Sequence, residues 1–251
     1  MARRERNLVA FIVAVLVLGG CSEGPRDPAG PGPRSGTETV DAGPLPDPPS
    51  PDPVIVAEAA VPLIEVFDKP GDPSPTPRRV TSPRPSGVGS VFVVLQRRGE
   101  MAEVRLPVRP AGSTGWVKLS DVRLTSHRWR IVVELAAYRL TVFQGPDVVR
   151  VETIGVGTEG TPTPGGHWFT TELLQPPKPD GPYGSYAFGL SGFTGTSDGP
   201  AAAYGQLGLH GTNDPSTLGR NVSLGCLRMS NDAISALATQ LPLGVPVDVR
   251  P

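Results

Sequence analysis

Ile131-Val132-Val133-Glu134-Leu135-Ala136-Ala137-Tyr138-Arg139-Leu140-Thr141-Val142-Phe143 is the stretch on which the fold turns. Its apolar residues fall in two runs of strand length, and the pair Ala136-Ala137 between them leaves room only for a tight turn. Gln144-Gly145-Pro146-Asp147 then reads as a second turn, and Val148 to Val156 as a third strand. Helical periodicity surfaces once, late in the chain. Ser230, Asn231 and Asp232 offer N-cap oxygens, Ile234, Leu237, Ala238 and Leu241 follow at i, i+3, i+4 and i+7, and Pro242 ends the run. Val245 to Val249 reads as a final strand. Residues 128–251 are therefore expected to be mainly β with one late helix.

Working towards the N-terminus, a second region alternates from Val54. Val54-Ile55-Val56, Leu63 to Phe67, Val91 to Leu95 and Ala102 to Val108 read as short strands. Residues 70–87 are rich in Pro, Ser and Arg and read as a long exposed loop. Gly115-Trp116-Val117-Lys118-Leu119-Ser120-Asp121-Val122 closes the region and resembles the last strand of bacterial SH3-like domains. Residues 54–125 are thus expected to form a small all-β, SH3-like unit, with His127 in a linker to the second region.

The sequence has 31 Pro and 31 Gly, unevenly spread. Ten prolines stand between positions 25 and 53 with almost no bulky apolar residue among them. Such a segment cannot offset its ordering entropy by burial, so residues 21–53 read as an extended spacer. Before it, Arg3, Arg4 and Arg6 precede an unbroken apolar run from Leu8 to Leu18. That run is shorter than the roughly 20 residues a spanning helix needs, and it fits the apolar part of an export signal over residues 1–20. Leu18-Gly19-Gly20-Cys21 resembles the bacterial lipobox, which implies lipidation of Cys21 and an exported, membrane-anchored lipoprotein facing the wall or periplasm.

A formal charge of −1, from 23 basic and 24 acidic residues, gives no field that points to nucleic acid. Two cysteines are present, and lipidation of Cys21 leaves Cys226 without a disulfide partner. A lone thiol in an oxidising compartment is either buried or useful. Its surroundings bear on which. Leu207-Gly208-Leu209-His210-Gly211-Thr212 is followed, after turn-like segments, by Asn221-Val222-Ser223-Leu224-Gly225-Cys226-Leu227-Arg228-Met229. A thiol attacks only as thiolate, and an imidazole such as His210 can take its proton. Gly211 and Gly225 beside the pair permit close approach, and the N–H groups of Gly225 and Cys226 are candidate oxyanion donors. His127 and His167 read as surface or packing residues, and three histidines spread in this way do not suggest zinc or another cofactor.

His-Gly-Thr-Asn, Gly-Arg-Asn-Val-Ser and Gly-Cys-Leu-Arg-Met, in that order, resemble the signature of L,D-transpeptidases with the YkuD-type domain. Gly155-Val156-Gly157 and Thr161-Pro162-Thr163-Pro164-Gly165-Gly166 resemble another segment of that domain, so the likeness covers about residues 128–251. It implies a β-sandwich catalytic domain acting on peptidoglycan stem peptides. Cys226 would be the nucleophile, His210 the base and then acid, and the Gly211 carbonyl the group that orients the imidazole. A thioester acyl-enzyme would yield 3→3 cross-links, and carbapenem-type β-lactams would acylate the same thiol. Arg228, Ser223 and Gly225 are candidate substrate contacts; Arg228 reads equally as a structural arginine, and Ser223 as a turn residue. The family commonly has histidine where this chain has Leu224, which bears on rate and specificity. An L,D-carboxypeptidase or protein-to-wall ligase would use the same nucleophile. A non-catalytic wall-binding lipoprotein, or an envelope protein with a buried Cys226, would use none.

Overall fold

The computed structural model describes residues 43–71, 78–195 and 205–251; the expected export segment, Cys21 and the expected spacer up to residue 42 lie outside them. Elements of the first half are β1 (Val54–Ala59), β2 (Leu63–Glu65), β3 (Arg79–Thr81), β4 (Val91–Arg98), β5 (Met101–Arg105), β6 (Thr114–Lys118) and β7 (Val122–His127). Five of these form an antiparallel sheet in the order β6-β5-β4-β1-β7, and β2 and β3 form a hairpin. Ala57, Ile64, Val66, Phe92, Val104, Leu106 and Val117 fill the core of this unit.

Two expectations are corrected here. The segment before residue 128 is no linker: β7 pairs with β1 along its whole length, from Val54↔His127 to Ala59↔Val122. The Pro-rich loop also holds a strand, since β3 pairs with β2 through Ile64↔Val80. The described end of the spacer, 43–53, carries no helix or strand, yet Arg139 donates to the Gly43 and Pro44 carbonyls and Arg130 to that of Asp52.

The second half holds β8 (Trp129–Glu134), β9 (Arg139–Gln144), β10 (Asp147–Thr153), β11 (Val156–Gly157), β12 (Gly166–Leu174), β13 (Ala187–Phe193), β14 (Gln206–His210), β15 (Asn221–Ser223), β16 (Leu227–Arg228), α1 (Asn231–Gln240) and β17 (Pro246–Arg250). Eight strands run in the order β10-β9-β8-β17-β12-β13-β14-β16. β12 changes partner midway: Gly166 to Phe169 pair with β17, and Thr170 to Leu174 with β13. The two halves of the sheet thereby close over one core. Ile131, Val133, Leu140 and Val142 come from one half, Phe188, Leu190, Leu207 and Leu209 from the other, and Ile234 and Leu237 from α1. The expected architecture, mainly β with one late helix, is the one observed. The Ser230 side chain caps that helix by accepting from the Ala233 N–H.

A third cluster joins the two halves of the chain. Val54, Val56, Val91 and Val93 of the first sheet pack with Phe169 of β12 and with Leu243.

Candidate active site

The site begins with a register. β14 and β16 are parallel neighbours, with Leu209 opposite Leu227 and His210 opposite Arg228. The residue before β16, Cys226, is therefore brought beside Gly208. A methyl group placed on Gly208 would lie 3.5 Å from Cys226 Sγ and 3.8 Å from His210 Cδ2. Both the thiol and the ring thus lie within contact distance of the same strand position. The loop between His210 and Cys226 returns through Asp214, which caps the 3-10 turn Pro215–Thr217, and through β15, which pairs with β11.

His210 is buried, and its Nδ1 lies 2.6 Å from the Gly211 carbonyl oxygen. A carbonyl only accepts, so Nδ1 carries the hydrogen and Nε2 keeps its lone pair. Nε2 neighbours Cδ2, the ring atom nearest Gly208, so the basic edge is turned to the side where the thiol sits. Burial pushes the His210 imidazole below the ordinary histidine range; the Gly211 hydrogen bond opposes this and the Arg228 charge adds to it. Burial pushes the Cys226 thiol up, against a backbone hydrogen bond from Gly208 and the positive charge of Arg228. The resting pair at neutral pH is thus a neutral base beside a protonated thiol.

Ser223, Gly225 and Arg228 do not line the cavity that Cys226 and His210 share. Ser223 is buried; its Oγ donates to the Cys226 carbonyl at 2.6 Å and accepts the Gly225 N–H at 3.0 Å. Both hydrogen bonds serve the turn that holds Cys226, which is the turn role that the sequence allowed for Ser223. The second of these bonds occupies the Gly225 N–H, which leaves the Cys226 N–H as the remaining candidate oxyanion donor of that pair. Gly225 adopts φ +113°, and a methyl group there would meet Thr194 Cγ2 at 2.7 Å, so no other residue fits without strain. Arg228 acts on the pair through charge; its Nε is buried without a hydrogen-bond partner. His167 sits on the surface against Asp248, and His127 is packed, with its Nδ1 accepting the Trp129 N–H.

The cavity measures about 620 Å³ and is mostly apolar, as suits a ligand pocket with a few placed polar groups. Leu224 stands exposed at its edge, so the departure from the family motif puts an apolar side chain at the entrance. Sequence reasoning missed three contributors. Tyr183 packs edge-on against His210 with ring centroids 5.0 Å apart. Asn231 Oδ1 accepts the Ser185 N–H at 3.1 Å, and it occupies the space that a methyl group on Gly184 or Gly211 would need. Glu172 is buried in the far wall. Of these, Asn231 had a visible signal only as a helix-cap candidate.

The sequence profile of the YkuD L,D-transpeptidase catalytic domain matches residues 128–249. YkuD of Bacillus licheniformis, assigned provisionally as an L,D-transpeptidase, is 34% identical over 123 residues, 49% of this chain and 66% of that protein. YqjB of Bacillus subtilis, with the same provisional assignment, is 30% identical over 128 residues, 47% of this chain and 68% of its own. Among solved structures, an L,D-transpeptidase from Mycobacterium smegmatis is similar over 64% of this chain and 91% of its own, at 16% identity and a TM-score of 0.41. The chain spans just under two thirds of the length of Bacillus licheniformis YkuD. Sequence motif and matched profile together define an L,D-transpeptidase catalytic domain. The chain belongs to the YkuD family.

Proposed function

We propose that this protein is a peptidoglycan L,D-transpeptidase that forms 3→3 cross-links through a thioester on Cys226. The observation that carries the reading is the placement of Cys226 Sγ and the His210 ring beside Gly208, with Nδ1 tied to the Gly211 carbonyl. His210 Nε2 takes the thiol proton as Sγ attacks the carbonyl of the L-centre of the diamino acid in a donor tetrapeptide. The Cys226 N–H stabilises the tetrahedral oxyanion. The C–N bond to the terminal D-Ala breaks, and the imidazolium returns its proton to the departing amine. A side-chain amine of a second stem then attacks the thioester, loses a proton to His210, and expels the sulfur. Two half-reactions on one nucleophile predict ping-pong kinetics.

Incubation with disaccharide-tetrapeptide and analysis of the products tests this reading. A dimer plus free D-Ala supports it. Free D-Ala with tripeptide and no dimer would identify a carboxypeptidase, and unchanged substrate would overturn both. Export and anchoring belong to the same proposal and rest on residues 1–21. Acylation of Cys21 supplies the apolar attachment, so Cys21→Ser should release the protein from membranes. A variant that still sediments with them would overturn the anchor.

A further inference from the structure

The strand register lays a bare floor through the cleft. Glu172 of β12 stands opposite Gly189 of β13, and Gly189 opposite Gly208 of β14, which lies beneath Cys226 Sγ. At a strand spacing of about 4.8 Å, this row places Glu172 two strands, about 10 Å, from Gly208. That is about three residues of an extended chain. Gln206, on the same face of β14 as Gly208 and His210, lines the same end of the cavity. A methyl group on Gly189 would sit 2.7 Å from Gln206 Nε2 and 2.9 Å from Glu172 Oε1, so the two polar side chains lean over this glycine.

What holds them comes from the other half of the chain. Arg84 Nη2 donates to Gln206 Oε1 at 2.9 Å and to Glu172 Oε1 at 3.4 Å, and Ser86 Oγ donates to Glu172 Oε2 at 2.5 Å. Gln206 Nε2 in turn donates to Thr171 Oγ1 and to the Leu190 carbonyl, which fixes the orientation of its amide. The Arg84–Glu172 pair is largely withdrawn from solvent, at 16% and 9% side-chain exposure, and Arg84 Nε is buried without an acceptor. Buried ion pairs contribute little net stability. The apolar cluster of Val54, Val56, Val91, Val93 and Phe169 already joins the two halves. The consequence of the cluster is therefore the aim of Glu172 and Gln206.

We propose that Arg84 is a positioning residue for the cleft: it holds Glu172 and Gln206 as the polar end of a groove whose other end is Cys226. The N-terminal β unit is then part of the substrate site as well as a neighbouring module. The assignment of the groove to a stem peptide rests on the proposed function; the positioning itself rests on the contacts above. Arg84 sets the affinity for an extended ligand and leaves the reactivity of the thiol alone.

Two alkylating probes test this without requiring turnover: iodoacetamide, which needs only the thiol, and an N-chloroacetyl tripeptide, which must also lie along the groove. In Arg84→Ala, saturable labelling of Cys226 by the tripeptide should weaken about 10-fold, the loss of one charge-assisted hydrogen bond. Labelling by iodoacetamide should keep its wild-type rate and pH profile. KM for disaccharide-tetrapeptide should rise by a similar factor with kcat little changed. Arg84→Met combined with Glu172→Gln removes the ion pair without stranding a charge, and it should show the same split if the single variant folds poorly. Unchanged tripeptide labelling in either folded variant overturns the proposal, as does an equal fall for both probes. Wild-type protein that takes both labels but never turns over tetrapeptide would sink the proposed function and leave the Arg84 comparison standing.

Discussion

At the scale of single residues, the proposed chemistry rests on an imidazole held neutral and a thiol held protonated. Because burial lowers His210 and raises Cys226, the base is free at neutral pH and the nucleophile depends on it. His210→Ala should therefore lower kcat/KM about 10²–10⁴-fold near neutrality. The defect should shrink as pH climbs towards the raised range of the thiol, where the sulfur ionises unaided. A pH–rate profile with a constant ratio between variant and wild type would contradict a base role. Cys226 and His210 were both legible in the sequence because their motifs are contiguous words. The work of Ser223 was not, since serine in a turn and serine in a pocket look alike until its two hydrogen bonds are seen.

At the scale of elements, α1 packs against the residue that follows His210. Its first residue, Asn231, meets Gly184 and Gly211, and the cap before it is a single Ser230 hydroxyl. Ser230→Ala should cost about 1 kcal/mol and lower the melting temperature by about 2–4 °C, as read by thermal denaturation. An unchanged melting temperature would mean that the cap contributes nothing. The helix could be read in advance because 3.6-residue periodicity, a cap and Pro242 agree. Strands with polar or glycine-rich sequences were harder. β7 is exposed along much of one side, and its Arg123, Ser126 and His127 mask the alternation. β13 carries Gly189 and Gly192 where the cleft and Trp168 need space, which removes the apolar signal. β16 has only two residues, and its pairing with β14 is a tertiary fact.

At the scale of the whole molecule, the two sheets share a cluster of apolar side chains, and His127 lies where β7 runs into β8. Burial, aided by the Arg130 charge and opposed by a Gly244 backbone interaction, pushes His127 down to about 4. Below pH 6.5 the unfolded chain takes up a proton that the folded chain refuses until about pH 4. The contribution of neutral His127 to stability is therefore full above pH 6.5 and is lost as pH falls through that window. His127→Gln should flatten the decline by on the order of 1–2 kcal/mol, allowing for partial solvent screening of the ring. Urea midpoints at pH 7.5 and 4.5 would check this, and an equal decline in both proteins would contradict it. That the N-terminal unit docks against the catalytic half could not be read from sequence, because Phe169, Arg84 and Glu172 lie far apart in the chain and meet only in the folded protein.

The central claim is that Cys226 is acylated, and the most direct measurement is intact-protein mass after exposure to a carbapenem. Ring strain lowers the barrier to attack by the thiol, and the Cys226 N–H stabilises the tetrahedral state as it would with a stem peptide. The account predicts one adduct on the wild type and none on Cys226→Ala. An adduct on both proteins, or none on a wild type whose Cys226 still takes iodoacetamide, would contradict it.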